Sequence, residues 1–361
     1  MLFIFLLINQ TETTNNNEEL TSTNSSEFGK VTNTECHKME QSAYDLSEKL
    51  TLDELEKMIG VNNVRIENRS NKRFSIAILD TGIYPHNDLT KPQNRIIAFK
   101  DFVNEKECTY DDNGHGTAIA GIIGGNGFMS NSKYQGLAPF VDFVSIKVLD
   151  YECKGIASLV AKGINWAIEN KDKYNIKVMN ISVGIQHDEK QYDEVAIAAE
   201  KAYNEGIFVV ASVGNIKSET TKIYSPAHLE SVLAVGSTQN TEIREDLQYD
   251  VSKSSSYWRT SDGNIKPNLV APGFHIFSLK SDIFYKGDGY VNNDITYSSC
   301  ISGTSASAAV VTGVVAILLH EFPSKTLEEI KNVLYDNCVR IENEDYKQGS
   351  GFIYLKEEYF K

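Results

Sequence analysis

The sequence is poor in the features that mark metal-binding, disulfide-rich or membrane-spanning proteins. It contains only five cysteines and no CxxC arrangement, which argues against a zinc site. Because five is an odd number, at least one thiol is free or pairs outside the chain, and the chain is too long for a small disulfide scaffold. The apolar run at residues 1–8 is too short to cross a bilayer.

Basic residues are also in the minority. Lys and Arg number 35 against 49 Asp and Glu, so the formal net charge is −14. An acidic chain repels nucleic acid and anionic lipid, and we expect neither as a partner. The 361 residues, 41% of them hydrophobic, are enough for one large core. Since like charges keep copies of the protein apart, we expect a soluble monomer.

The N-terminal part differs in composition from the rest. Residues 1–8 lack the basic residues and the small-residue cleavage site of a signal peptide, and resemble a truncated one. Residues 9–50 are polar and poor in large apolar groups, which predicts a disordered segment or a vestigial propeptide, with a short amphipathic helix within 42–59. Residues 51–361 are assigned to one folded domain. A truncated signal favours a secreted protein, with a cytoplasmic one as the alternative.

From residue 74 onward, short β-branched apolar runs alternate with longer stretches of helical periodicity. The strand-like runs are 74–79, 142–149, 177–183, 207–213 and 231–236. The helical stretches are 158–173, 192–205, 305–322 and a closing surface helix at 325–338. Near-continuous apolar runs are typical of strands buried on both faces. The alternation predicts an α/β fold, a three-layer, doubly wound, mostly parallel sheet flanked by helices. In such sheets functional groups gather at the carboxyl ends of the strands.

Two polar residues at the ends of these predicted elements are candidates for catalysis. Asp80 ends the first strand-like run, in ILDTGI, and a turn-capping aspartate is the structural alternative. DTG also marks aspartic peptidases, but no second DTG or DSG occurs and the pattern is not all-β. His115 lies between glycines in DDNGHGT, which leaves an imidazole suited to general-base work unshielded. A structural histidine is the alternative there.

A serine and an asparagine complete the set. Ser305 opens a helical stretch in SGTSAS, where helix N–H groups could face a developing oxyanion; an N-cap serine without chemistry is the alternative. The sequence is not GxSxG, so an α/β-hydrolase nucleophile elbow is excluded, and Ser307 is the rival nucleophile. Asn215 follows the fourth strand-like run and either donates its amide to an oxyanion or turns the chain.

Together these segments resemble the subtilisin-like serine peptidases, or subtilases, from about Val61 to Gly313 and more loosely to Cys338. The matching motifs, in family order, are ILDTGI, NGHGT-x-x-AG, GLAP, ISVG, VVASVGN, SVLAVGS, KPNLVAPG and SGTSAS. The chain order Asp, His, Ser is that of the subtilisin triad.

The resemblance implies roles for individual residues. Asp80, His115 and Ser305 become the catalytic triad, and Asn215 becomes the side-chain donor of the oxyanion hole.

It also implies a cleft for an extended peptide. Ser182, Val183 and Gly184 would pair with the substrate backbone and wall the primary pocket, with Gly155 on the opposing strand. The floor of that pocket depends on the loop near Tyr224.

Calcium is a further question that the resemblance raises. Family members often bind it through an aspartate near Asp88 and through the loop after the histidine helix. Asp88 is present, but the loop at 124–136 contains no carboxylate, the ligand that hard cations prefer. A structural calcium therefore stays open, and we expect that the chemistry itself needs no cofactor.

The resemblance implies a serine endopeptidase that hydrolyses peptide or protein substrates through an acyl-enzyme intermediate. The short segment before the folded domain suggests an alternative, a dedicated peptidase that removes the leader of a ribosomally made peptide such as a lantibiotic. A non-catalytic binding protein that kept the fold is the less favoured alternative, because all four chemical groups are intact.

Overall fold

The computed structural model describes residues 30–31, 49–63, 73–187, 193–216, 223–240, 242–259, 263–294, 297–341 and 344–360. The apolar start at 1–8 and most of the polar segment at 9–50 lie outside these residues. From that segment the structure describes Lys30–Val31, which forms a short strand, and residues 49 and 50.

The secondary structure of the described residues alternates between strands and helices along most of the chain. The strands are β1 (Lys30–Val31), β2 (Ser75–Asp80), β3 (Ile96–Asp101), β4 (Asp142–Lys147), β5 (Gly155–Ile156), β6 (Ile176–Ile181), β7 (Ile185–His187), β8 (Phe208–Ser212), β9 (Ile223–Ser225), β10 (Leu233–Thr238), β11 (Trp258–Arg259), β12 (Ile265–Lys266), β13 (Leu269–Pro272), β14 (Ile276–Leu279), β15 (Tyr297–Ile301), β16 (Cys338–Val339) and β17 (Phe352–Ile353). The α-helices are α1 (Leu52–Met58), α2 (Asn87–Thr90), α3 (His115–Gly124), α4 (Ala157–Glu169), α5 (Lys171–Tyr174), α6 (Glu194–Asn204), α7 (Thr304–Glu321), α8 (Leu327–Asp336) and α9 (Asp345–Gln348). Single 3₁₀ turns occur at Val61–Asn63, Phe128–Ser130 and Glu357–Phe360.

A nine-stranded sheet forms the centre of the fold, in the order β16-β17-β13-β10-β8-β6-β2-β4-β3. Its strands pair in parallel except for β16 and β17, which are antiparallel. In the described part of the chain, four two-stranded ladders lie outside it: β1–β5, β7–β9, β11–β12 and β14–β15. The mostly parallel, doubly wound sheet predicted from the sequence is confirmed.

The alternation of side chains along β2 shows how the three layers form. Ile76 and Ile78 point into a core shared with α3 and α7, and Ala77 and Leu79 into a second core shared with α4 and α6. All four are at most 1% exposed. Because a central parallel strand is covered on both faces, it reads as an unbroken apolar run in the sequence.

The predicted helices differ from the observed ones mainly at their ends. The helix predicted within 42–59 is α1, and it begins at Leu52 because Thr51 and Glu54 form a capping box; residues 42–48 lie outside the described part. The stretch predicted at 158–173 is divided between α4 and α5, which meet at Asn170. α1 packs into the main core through Leu52 and its neighbours, so the folded unit includes it.

Among the described residues, one helix, α7, is long and apolar enough to cross a membrane by composition. Of its residues, 83% are buried within the protein, as is usual for a core helix. α7 lies against the sheet and against α3. The helix therefore fixes the position of the residues at its N-terminus relative to the carboxyl edge of the sheet.

Candidate active site

Asp80 and His115 form a hydrogen-bonded pair at the carboxyl end of β2. His115 Nδ1 lies 2.8 Å from Asp80 Oδ1 and 2.9 Å from Oδ2. Asp80 is completely buried and His115 is 7% exposed. The close approach needs Gly116, because a Cβ there would lie 2.1 Å from the main-chain oxygen of Gly82. The structure thus joins two of the three residues that the sequence suggested as a triad.

The surroundings of His115 favour its charged form. Burial alone would lower its pKa, but the Asp80 carboxylate, through its charge and hydrogen bond, and the nearby charge of Asp111 outweigh burial, and the pKa is raised. The bond to Asp80 also fixes the tautomer: Nδ1–H donates to the carboxylate, which leaves Nε2 as the proton acceptor. His115 is therefore oriented for general-base work.

Ser305 is the second residue of α7 and is 6% exposed. Its Oγ donates to the main-chain oxygen of Ser182 at 3.3 Å, and within the described part of the chain no hydrogen bond joins it to His115. The rival nucleophile is directed elsewhere, since Ser307 is fully buried and donates to the main-chain oxygen of Ala271 at 3.0 Å. Of the two serines, only Ser305 is next to the predicted substrate strand.

Asn215 is tied to the residue that precedes Ser305. Its Oδ1 accepts hydrogen bonds from the main-chain N–H of Thr304 at 2.8 Å and from the Thr304 hydroxyl at 3.1 Å. With its oxygen held in this way, the amide nitrogen is left to donate elsewhere. Gly303 permits the contact, because a Cβ there would lie 3.0 Å from both the oxygen and the nitrogen of the amide.

A cavity of about 370 Å³ opens beside Asn215. Its lining is about evenly polar and apolar and consists of Asn215, Gln239, Asn240, Ser252, Ser254, Gly273, Phe274, Ser302 and Gly303.

The predicted substrate-binding residues lie on two neighbouring edges. Ser182, Val183 and Gly184 connect β6 to β7, and Gly155 is the first residue of β5. The strand β1 pairs antiparallel with β5, with Val31 opposite Gly155, and also lies against β7. This edge of the molecule therefore accepts an extended strand by main-chain pairing.

Sequence reasoning missed Asp111, which organises the loop before the histidine helix. Asp111 is fully buried; its Oδ1 accepts from the Thr81 hydroxyl at 2.8 Å and from Gly114 N–H at 2.8 Å. Its Oδ2 accepts from the main-chain and hydroxyl groups of Thr117 at 2.9 and 2.6 Å. Since Gly114 has no side chain to cap α3, Asp111 supplies the cap. The two acidic residues in DDNGHGT were the available signal.

Lys147, at the end of β4, is a second residue that sequence reasoning missed. Its buried ammonium donates to the main-chain oxygens of Thr81 and Leu149 and to Asp112 Oδ1, at 2.7, 2.9 and 2.7 Å. It holds the chain after Asp80 against the neighbouring strand.

The Asp88 carboxylate accepts hydrogen bonds from two other segments of the chain. Its Oδ1 accepts from the main-chain N–H of Met129 at 2.8 Å, and its Oδ2 accepts from the hydroxyl of Tyr297. In the residues that the structure describes, no group of three or more His, Cys, Asp or Glu is arranged to hold a metal ion. Both carboxylate oxygens are therefore bonded to donors of the chain itself.

A buried guanidinium provides positive charge next to Asp88. Arg95 is 2% exposed, and burial lowers its pKa to about 10. Its donors bond main-chain oxygens from three segments, those of Asp88 (2.5 Å), Gly124 (2.7 Å), Pro139 (3.1 Å) and Val141 (3.1 Å). Hard cations also bind carbonyl oxygens that converge in this way, and here the Arg95 guanidinium bonds them.

The fold, a buried Asp–His pair and a serine at the start of the adjacent helix are typical of an α/β serine hydrolase. Residues 71–351 match the model of the subtilase family of peptidases. The chain belongs to the subtilase family, and its class is that of the serine endopeptidases.

Individual relatives agree with this assignment, and a solved structure agrees with the fold. Serine protease AprX of Bacillus subtilis (strain 168) is 34% identical over 281 residues, which cover 76% of this chain and 63% of AprX. Subtilisin DY of Bacillus licheniformis is 28% identical over 299 residues, 82% of this chain and 94% of that protein. The structure of sphericase has a TM-score of 0.65 at 24% identity and covers 84% of this chain and 97% of its own.

Proposed function

We propose that Ser305, His115 and Asp80 act as the catalytic triad of an endopeptidase, with Asn215 in the oxyanion hole. Ser305 Oγ attacks the scissile carbonyl carbon while His115 Nε2 takes the hydroxyl proton. Asp80 holds the imidazole and stabilises the imidazolium that forms. The Asn215 amide and the main-chain N–H of Ser305 donate to the oxygen that becomes negative.

The second half of the reaction uses the same groups. His115 returns the proton to the leaving amine as the carbon–nitrogen bond breaks, and an acyl-enzyme on Ser305 remains. A water molecule then gives a proton to His115 and attacks the ester carbon. Release of the acid restores the serine hydroxyl, so no external proton donor or cofactor is consumed.

One observation carries the proposal: the buried 2.8 Å contact between His115 Nδ1 and Asp80, on the same edge of the sheet as Ser305. The 3.3 Å bond from Ser305 Oγ to Ser182 leaves the nucleophile beside the predicted substrate strand. A catalytic hydrogen bond to His115 can form when substrate closes the site, as in other enzymes whose free forms have loose contacts.

We propose that an extended peptide binds between Gly155 on β5 and Ser182, Val183 and Gly184 on the opposite edge. The antiparallel pairing of Lys30–Val31 with β5 supports this, because β1 uses the main-chain groups that a substrate would use. The same pairing, seen for Lys30–Val31 alone, supports the interpretation of the segment at 9–50 as a vestigial propeptide.

The substrates in this proposal are peptides or proteins, cleaved by a monomer that binds no nucleic acid. A dedicated leader-peptide processing enzyme is the second candidate, and it differs in substrate rather than in chemistry. Degradation of casein at many sites favours a general endopeptidase. A single cut in one peptide precursor, with casein left intact, favours the processing enzyme.

We also propose that the protein is secreted. Cys153 is disulfide-bonded, whereas Cys108, Cys300 and Cys338 are free. Disulfides persist mainly in oxidising compartments. One relative, 30% identical over 291 residues, is the minor extracellular protease Epr of Bacillus subtilis (strain 168). A cytoplasmic enzyme is the alternative, and the presence of the protein in culture medium or in the cell fraction decides between them.

A fluorophosphonate probe tests the proposed chemistry, because only an activated serine is phosphonylated. The full chain should be labelled and should cleave casein, and Ser305→Ala should abolish both. Ser307→Ala is the matched control, and it should retain labelling because Ser307 faces β13. Absence of labelling in a folded wild-type protein would favour the non-catalytic alternative.

The proposal includes no structural calcium at Asp88, and thermal unfolding tests this. EDTA should leave the Tm unchanged, because the Asp88 carboxylate already accepts from Met129 and Tyr297. Tyr297→Phe should lower the Tm by a few degrees, since an unsatisfied buried acceptor costs about 1–3 kcal/mol. Tyr134→Phe, on a ring packed 5.2 Å from that of Tyr297, is the control. A Tm that rises with added calcium would contradict the proposal.

A further inference from the structure

The side chain of Tyr224, on β9, fills a gap between two glycines. Measured from the Cβ that each glycine would carry, Tyr224 Cδ1 lies 3.1 Å from Gly184 and Tyr224 Cδ2 lies 3.2 Å from Gly214. Both distances are shorter than ordinary van der Waals contact. The aromatic ring therefore occupies the space between these two segments of backbone, and it is 4% exposed.

That gap lies beside the bond that would be cleaved. Gly184 is two residues from Ser182, whose main-chain oxygen accepts from Ser305 Oγ. Gly214 directly precedes Asn215, which is bonded to Thr304. A peptide group held between the nucleophile and the Asn215 amide therefore has both glycine segments next to it. The side chain on its acyl side must enter the space between them.

The ring is also firmly held. β9 pairs antiparallel with β7, with Tyr224 opposite Gln186, and the ring centroid lies 6.3 Å from that of Trp258, which is 6% exposed. Moving the ring outward would leave a void in this core, with loss of its packing contacts. Tyr224 is therefore a fixed wall of the site rather than a side chain that swings aside for substrate.

We propose that Tyr224 is a specificity-determining residue that restricts the substrate residue on the acyl side of the scissile bond to Gly, Ala or Ser. The inference rests on the proposed function, since it assumes attack by Ser305. A larger side chain would have to displace a packed aromatic ring, and exclusion by a clash of this kind is how sites discriminate against bulk.

Peptides of the form Ala-Ala-Ala-X-p-nitroanilide, with X as Ala, Leu or Phe, test the proposal by their kcat/KM values. The wild-type full chain should cleave X = Ala at least about tenfold better than X = Phe. Tyr224→Ala should raise kcat/KM for X = Phe relative to X = Ala by at least about tenfold. Tyr224→Phe keeps the ring and should retain the wild-type preference.

Two results would overturn the inference. One is a wild-type enzyme that prefers Phe or Leu at X; the other is a folded Tyr224→Ala variant with an unchanged Phe-to-Ala ratio. If Tyr224→Ala does not fold, Tyr224→Val serves the same purpose with a smaller void. Fluorophosphonate labelling separates this inference from the underlying function. A wild-type chain that is not labelled would contradict the peptidase proposal itself. A labelled chain that prefers Phe or Leu would contradict only the role of Tyr224.

Discussion

The histidine side and the serine side of the candidate site are built in different ways. On the histidine side, buried carboxylates hold the structure: Asp80 bonds His115, and Asp111 bonds Thr81 and the start of α3. On the serine side, the only side-chain bond of Ser305 Oγ in the described structure is a 3.3 Å contact with a main-chain oxygen. Its position comes instead from burial of α7 against the sheet.

The difference follows from what each group must do. A general base works only if its tautomer and pKa are fixed, and this needs charged partners at defined distances. A serine nucleophile needs a defined position and a nearby oxyanion donor, which a packed helix and one asparagine can provide. The histidine side should therefore respond to changes of charge, and the serine side to loss of a donor.

Asn215→Ala removes a donor from the serine side and should lower kcat more than the change on the histidine side described below. Loss of one oxyanion donor should lower kcat by roughly 10²–10³-fold with KM little changed, a magnitude known from the equivalent kind of change in a subtilisin. Asn165→Ala is the matched control, because among the described residues the Asn165 amide donates to Ala161 of its own helix alone, at 2.9 Å. Peptide hydrolysis under saturating conditions measures the effect. A kcat within about threefold of the wild-type value would contradict the role of Asn215 as an oxyanion donor.

The central strands of the fold were predictable because burial on both faces is visible in a few consecutive residues. β2 is one example, fully buried along its length. The edge strand β3 escaped prediction, since its apolar run covers only residues 96–99 and the residues between Ile96 and Asp101 are partly or fully exposed. Edge strands depend on the neighbour they pair with, here β4, and a neighbour is not visible in local sequence.

Site residues were predictable where the side chain and its neighbours in the sequence together indicate the role. Asp80 and His115 have that property: Asp80 ends a buried strand in DTG, and the glycines on both sides of His115 indicate that the backbone approaches closely. The environment of Asp88 was not predictable, since its partner Tyr297 lies 209 residues away in the chain. Tyr224 was recognised as near the pocket, but only the three-dimensional structure shows its ring between Gly184 and Gly214.

Asp111→Asn tests the histidine side and should lower kcat less than Asn215→Ala does. The amide has the same shape but no charge, and as a donor it cannot replace every bond that the carboxylate accepts. We expect kcat to fall about tenfold, as a misplaced α3 start would displace His115. Because the negative charge of Asp111 helps to raise the pKa of His115, its removal should lower that pKa. The acidic limb of the kcat/KM profile should then move to lower pH.

Asp112→Asn is the matched control for this charge change, one residue further along the chain. Asp112 pairs with Lys147 and Lys286, at 2.7 and 3.4 Å, so its charge is already compensated. Its removal should leave the acidic limb near the wild-type position. A structural loss alone would lower the Tm and kcat of Asp111→Asn without moving the limb, and would show that Asp111 holds the loop but does not tune His115. If the acidic limb shifts equally in both variants, the pKa of His115 depends on the total negative charge of the loop and not on Asp111 in particular. That result would contradict the proposed electrostatic role of Asp111.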